Sequence, residues 1–267
     1  MPLGRMIGRV SGRWGAQSLM LSSVVHEARR VNPSHIHEAA FVSLVLDGLY
    51  DETAAQRSFH YDRFSALYHP AELEHQDVVG APGVQLLIFE FRPELLEGTT
   101  IRPSHLRAMR DLTGTRAAWR LLSLYRDAAR QNDELDFEER ALDLIGEVAS
   151  MPARIPLHQP SLTRARDYLD ATFRRHMTMK EIADAAGIHP VYLGQMFHRH
   201  TGETIATCVS RLRVRAAAER LCSTSLPLAA VALDHGFCDQ SHFHRVFKKV
   251  SGLTPAAFRA TFGPKTA

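Results

Sequence analysis

Two sets of residues have the types and spacing to do chemistry. The first is His35 and His37. Side chains alternate along an extended strand, so His35 and His37 leave it on the same side. A pair of imidazoles so placed can begin a nitrogen site for a metal such as zinc or iron. The second lies near the C-terminus, in GFCDQSHFHRVFKKVSG, residues 236 to 252. There Phe243, Val246, Phe247 and Val250 recur on one face of a helix. Ser241, Arg245 and Lys248 fall on the opposite face, with His242 and Lys249 beside them. The apolar face needs a core, and the other offers hydrogen-bond donors and positive charge.

The charge of the chain is distributed to match. From residue 161 onward there are 15 Lys and Arg against 8 Asp and Glu, a net of +7; before it there are 17 against 21, a net of −4. That asymmetry suggests a basic module for a polyanion joined to a module with another task. With 267 residues, 45% of them apolar, the chain can build two or three compact units, each with its own core. No apolar run reaches the roughly 18 residues of a membrane span, and the basic N-terminus lacks the apolar stretch of a signal peptide. The three cysteines, Cys208, Cys222 and Cys238, form no CxxC pair, which fits the reducing cytoplasm and no disulfide framework.

The elements that must hold these residues can be read in order. Prolines 152, 156 and 160 mark residues 151–160 as an extended linker. Up to about residue 92 the chain reads as β-structure, in the runs LMLSSVV, FVSLVLDGLY, FSALYH and VQLLIFEF. Residues 104–150 read as an antiparallel helical pair, with stripes at Leu121, Leu124, Tyr125 and Ala128 and at Leu142, Ile145 and Ala149. Such a pair can pack on the β unit or dimerise. The fold class expected is α+β, a β-barrel with a helical hairpin followed by an all-helical unit.

The helical unit contains a repeat. Ala183 and Gly187 correspond to Ala232 and Gly236, and Leu193, Met196, Phe197, Gly202 and Thr204 correspond to Phe243, Val246, Phe247, Gly252 and Thr254 one residue further along. A residue has been gained in the turn while helical periodicity is kept on both sides. Each copy reads as helix, Gly turn, helix, at about 180–201 and 228–251, a helix-turn-helix whose second helix can enter a DNA major groove. Thr178 and Glu181 form a capping box for the first helix, Pro227 falls in the first turn of the second copy, and Asp239 caps its second helix. The intervening helix, about 204–221, carries Arg211, Arg213, Arg215 and Arg220. It spans roughly 27 Å, so the two copies can reach major-groove faces about 34 Å apart.

The string Gly236, Phe237, Asp239, Ser241, Phe243, Arg245, Phe247, Lys248, Gly252, Pro255, Phe258 and Arg259 resembles the C-terminal signature of AraC/XylS-type transcription regulators, and the resemblance covers about 163–262. It implies a seven-helix DNA-binding domain over 161–267, behind an effector-binding or dimerising domain. By position, Gln240, Ser241, His242 and Arg245 match the family's groove-facing sites. Arg245 suits guanine O6 and N7, and Gln240 suits adenine. Lys248 and Lys249 suit phosphate. In the first copy the matching residues are Val191, Tyr192, Gly194 and Gln195, with His198 and Arg199 nearer the backbone. Gln195 stands where an arginine is frequent, and Gly194 offers no side chain.

The N-terminal histidines resemble the two cupin motifs, His35-Ile-His37 with Gly48, and Pro70 to His75, a resemblance that implies His75 joins His35 and His37 in a three-nitrogen site suited to zinc or iron. Phe41 stands at the metal-binding glutamate position and Glu72 at the second motif's glycine. These departures make a small organic effector the first reading for residues 1–103 and a divalent metal, zinc or iron, the second. His26, His60 and His69 lack a motif and read as ordinary polar positions. The whole reads as a cytoplasmic, non-enzymatic transcription regulator with 104–150 as its dimerising pair. Its partners are double-stranded promoter DNA, an effector, a second copy and RNA polymerase. The alternative is a cupin-type metalloprotein or enzyme fused to a DNA-binding domain. No catalytic residue is assigned, since no Pro-Cys-His-Arg, Gly-x-Ser-x-Gly or His-Glu-x-x-His is present.

Overall fold

The computed structural model describes residues 1–16, 18–54, 56–130, 134–151 and 160–264. They fall into two compact units, Met1–Ala153 and Arg154–Ala267.

The first unit is built on a long antiparallel pair, β4 (Ala40–Ala54) and β7 (His75–Phe91). At one end β2 (Leu19–His26) pairs with β7, β1 (Arg9–Ala16) lies beyond it, and β6 (Ala66–His69) pairs with β4. At the other end β3 (Val31–His35) pairs with β7 and β5 (Arg57–Tyr61) with β4. The two-residue β8 (Arg110–Asp111) extends β6. Val24, Phe41, Val45, Leu67, Leu86 and Ile88 form one buried cluster. Their strand neighbours Leu21, Val42, Leu44, Leu87 and Phe89 are buried too. Burial on both faces explains why these strands read as continuous apolar runs instead of alternating ones.

Helices α1 (Arg116–Ala128) and α2 (Glu134–Ser150) pack on this sheet, with Trp119 against Phe64 at 5.6 Å and Tyr125 edge-on to Trp14 at 5.4 Å. Arg120 ties the pair together through Glu147 at 2.7 Å and Asp143 at 2.8 Å. The helical reading of 104–115 is corrected. Pro103–Leu106 is a short 3-10 turn, and Arg110 and Asp111 join the sheet. Arg110 fixes this segment by donating to the carbonyls of Met151, Ala108 and His105. On α2 the buried stripe is Ala141, Leu144, Ile145 and Val148, with Leu142 and Ala149 half-buried. Of the two expected stripes, Leu121, Leu124 and Ile145 are buried within the single chain, and Tyr125 and Ala128, like Leu142 and Ala149, are half-buried.

Residues 152–159 of the expected linker lie outside the described residues, and Pro160 already opens a helix, where a missing N–H costs nothing. The second unit runs α3 (Pro160–Thr172), α4 (Met179–Ala186), α5 (Pro190–Thr201), α6 (Ile205–Ser223), α7 (Leu228–Asp234), α8 (Gln240–Ser251) and α9 (Pro255–Phe262). Leu162 and Leu169 of α3, Ile182 and Ala183 of α4, and Leu193 and Phe197 of α5 close one core. The other is an aromatic file, with centroids 4.9 Å apart for Phe237 and Phe243, 5.4 Å for Phe243 and Phe247, and 5.3 Å for Phe247 and Phe258.

Candidate nucleic-acid interface and histidine cavity

The two helix pairs are set by local chemistry. Thr178 Oγ1 accepts from Glu181 N at 3.2 Å while Glu181 Oε2 accepts from Thr178 N at 2.7 Å, the reciprocal capping box that starts α4. Gly187 ends α4 in the left-handed conformation, and His189 caps α5. In the second copy Pro227 is the N-cap residue itself, one position earlier than the first turn, and Asp239 accepts from His242 N at 2.7 Å to start α8. Gly236, at φ 80°, makes the bend between α7 and α8; a Cβ there would lie 2.3 Å from Arg174 O.

On α5, Leu193, Met196 and Phe197 are buried while Val191, Tyr192, Gln195, His198 and Arg199 are exposed. On α8, Phe243 and Phe247 are buried, Val246 and Val250 are half-buried, and Gln240, Ser241, Arg245, Lys248 and Lys249 are exposed. His242 is partly committed to the turn, because its Nδ1 accepts from Cys238 N at 3.3 Å and its ring meets Phe237 edge-on. Gly194 is half-buried, with Met179 Cε 3.6 Å from where its Cβ would be. Much of the basic excess is spent inside the unit. Arg213 donates to the carbonyls of Phe173 at 2.7 Å and Arg175 at 2.9 Å, beyond the end of α3. Arg211 pairs with Glu203 at 2.6 Å, and Arg164 donates to Ala186 O at 2.6 Å.

In the first unit the structure brings His35, His37 and His75 together, one ring nitrogen of each lying within 4.8 Å of the others. Ring centroids are 4.2 Å apart for His35 and His75, and 5.5 Å for His37 and His75. His35 ends β3, His37 lies just past it, and His75 opens β7 opposite His35 in the ladder. The same cavity is lined by His26, Asn32, Tyr50, Glu52, His69 and Asp77. His69 donates from Nε2 to Glu52 at 2.6 Å, with both side chains buried, and stacks on Phe41 at 4.1 Å. Glu90, wholly buried, takes Gly4 N at 2.7 Å and His37 Nδ1 at 3.4 Å.

Burial dominates the titration of this cluster. It lowers His75 to about 3, helped by the nearby His69 charge, and His26 to about 4, helped by Arg30. His37 is lowered as well, burial outweighing its contact with Glu90. Asp77 is raised to about 6 by burial and the Glu52 charge. Burial also favours a neutral Glu52, but the His69 contact prevails and holds it below the usual carboxylate range. Burial thus favours the neutral imidazole at His26, His37 and His75.

Residues 182–261 match the family described as "Helix-turn-helix domain". The arabinose operon regulatory protein of Salmonella typhimurium is 33% identical over 108 residues, 39% of this chain and 38% of that protein. Regulatory protein PocR of the same organism is 28% identical over 102 residues, 38% of this chain and 34% of that protein. Residues 182–261 form an AraC-type helix-turn-helix domain. The C-terminal domain of AraT, a response regulator from Geobacillus stearothermophilus, is 32% identical in a match covering 40% of this chain and 92% of that one, at a TM-score of 0.38. The chain spans 34 and 38% of the length of the two curated relatives named here.

In the AraC-type domain every expected base-reading or phosphate-reading side chain except His242 is exposed. Outside it, the reading of His26 and His69 as ordinary polar positions is corrected, since both line the cavity; His60 is a surface residue paired with Asp51 at 2.6 Å. His69 was legible, because it shares a strand face with buried Leu67. Glu52 was not. Register shifts between Val45 and Asp47 and between Gly48 and Tyr50 change the parity of β4, turning Glu52 inward.

Proposed function

We propose that the chain is a sequence-specific DNA-binding transcription regulator whose N-terminal unit binds an effector. The observation that carries this is the two-sided burial of both second helices. The same α5 and α8 that bury Leu193, Phe197, Phe243 and Phe247 expose Gln195, Gln240, Ser241 and Arg245. An ordinary helical hairpin has no need to present an outward face twice at equivalent positions of an internal repeat, Val191 and Gln195 on α5 matching Ser241 and Arg245 on α8. The relatives' names, as regulatory proteins, support the same reading.

In this reading α5 and α8 each enter a major groove. Arg245 donates to guanine O6 and N7, Gln240 and Gln195 pair with adenine, Ser241 and His242 contact base edges, and Val191 and Tyr192 meet thymine methyl groups. Lys248, Lys249, Arg199 and His198 neutralise phosphate, adding affinity and salt dependence but little discrimination. An effector alters transcription only by binding two arrangements of the chain unequally, and the coupling is reciprocal. The chain is not an enzyme in this reading. Its buried Cys208 has a thiol raised by burial, the opposite of an activated nucleophile.

Selection of bound duplexes from a random pool, followed by footprinting, tests the proposal. One site protected on two successive major-groove faces, about 34 Å apart, is expected. Binding of random and selected duplexes with equal affinity would reject it.

A further inference from the structure

We propose that His35, His37 and His75 form a binding site for a divalent transition metal ion, ligating through their Nε2 atoms. Each ring already has its other nitrogen engaged. His35 Nδ1 donates to Pro33 O at 2.9 Å, His75 Nδ1 to Leu73 O at 3.2 Å, and His37 Nδ1 to Glu90 at 3.4 Å. These bonds set the tautomer and leave the Nε2 lone pairs free, the outer-shell arrangement that orients metal-ligating histidines. One nitrogen from each ring lies within 4.8 Å of the others, and tetrahedral ligands at about 2.0–2.1 Å from zinc sit about 3.3 Å apart.

The space selects the class of ligand. The cavity holds about 30 Å³, room for an ion and a water, whereas small-molecule pockets run to about 300–1,000 Å³. Glu90 and Glu52 stand behind the histidines and balance an ion's charge at short range. A further group points to the same occupant: His69 Nδ1 is buried with no partner among the described residues, its ring 5.4 Å from His75. Three imidazole nitrogen donors favour zinc or ferrous iron over magnesium or calcium, which require oxygen ligands. At the position read as a lost glycine, Glu72 holds the left-handed conformation (φ 61°), and its N–H donates to His37 O at 2.8 Å. The loop geometry that places His75 is thereby kept without the glycine.

This inference names the effector of the N-terminal unit, and for that consequence alone rests on the regulator reading. Occupancy is measured without DNA, so the two can fail separately. The full chain, purified without a polyhistidine tag and stripped with a chelator, is titrated with Co²⁺, and its visible absorption is followed. One Co²⁺ per chain is expected, displaced by Zn²⁺. His75→Ala and the partly exposed His35→Ala should each weaken binding at least about tenfold, and Glu90→Gln by about 10–100-fold. His60→Ala on the surface should titrate as the parent, and tryptophan emission checks that each variant is folded. No uptake of Co²⁺ or Zn²⁺ by the folded parent, or unchanged binding by folded His35→Ala, would overturn the assignment.

Discussion

Gly236→Ala tests the joint on which the second DNA-reading helix turns. The added Cβ would lie 2.3 Å from Arg174 O, 2.9 Å from its carbonyl carbon and 3.0 Å from Arg213 Nε. Two of these atoms are backbone and cannot rotate away. The third belongs to the guanidinium that holds the carbonyls of Phe173 and Arg175. The left-handed conformation alone costs a Cβ-bearing residue about 1–2 kcal/mol. The forced displacement adds about 1–3 kcal/mol. A loss of about 2–5 kcal/mol should lower the urea midpoint of the C-terminal unit by about 1–2 M.

Gly252→Ala is the matched control. It has φ 77° and nothing within 4 Å of the added Cβ, so it carries the conformational cost alone. Both tryptophans, Trp14 and Trp119, lie in the N-terminal unit, so their emission reports that unit while helical circular dichroism follows the other. The dichroism midpoint should fall at least twice as far for Gly236→Ala as for Gly252→Ala, with the tryptophan transition held. Equal shifts for the two variants would refute the steric argument.

Other outcomes follow from the same coordinates. Arg213→Ala should destabilise the C-terminal unit by about 1–2 kcal/mol, since its hydrogen bonds are to protein carbonyls. The slope of DNA affinity against salt should stay unchanged; a slope reduced by about one would make it a phosphate contact. Thr178→Ala should cost about 1 kcal/mol through loss of the capping box. Because His26 is lowered from 6.5 to about 4 in the fold, the unfolded chain takes up its proton first as pH falls. Its contribution is complete above pH 6.5 and is lost between about 6.5 and 4. Urea midpoints read by tryptophan emission should drop across that window, and His26→Asn should flatten the drop.

The helical half was the more legible, because its signals are local. Thr178, Glu181, Gly187, Asp239 and Gly236 each act within one turn of the chain, and the offset of the repeat is visible without tertiary knowledge. Pro227 was misplaced by one residue, an error that cap geometry alone resolves. The β half depends on non-local pairing. β1, RVSGRWGA, lacks both alternation and an apolar run, since it pairs only with β2. The β reading near the end of this half was confined to VQLLIFEF, after Gly80, Pro82 and Gly83. The ladder instead resumes across that segment as a bulge, with Tyr50 opposite Val79 and Gly48 opposite Val84. The three histidines were legible through the resemblance to the cupin motifs, but the acids behind them were not. Glu52 and Glu90 reach the cavity through bulged and paired strands that only the folded sheet defines.

The measurement closest to the central claim compares Arg245→Ala and Lys248→Ala on the selected site and on random duplex, over a range of salt. Arg245→Ala should lose about 1–3 kcal/mol, roughly 5- to 150-fold, on the selected site, with relaxed preference at one base pair and little change on random DNA. Lys248→Ala should lose similarly on both and flatten the salt dependence. Equal losses for both variants on both duplexes would contradict base reading by α8 and the account built on it.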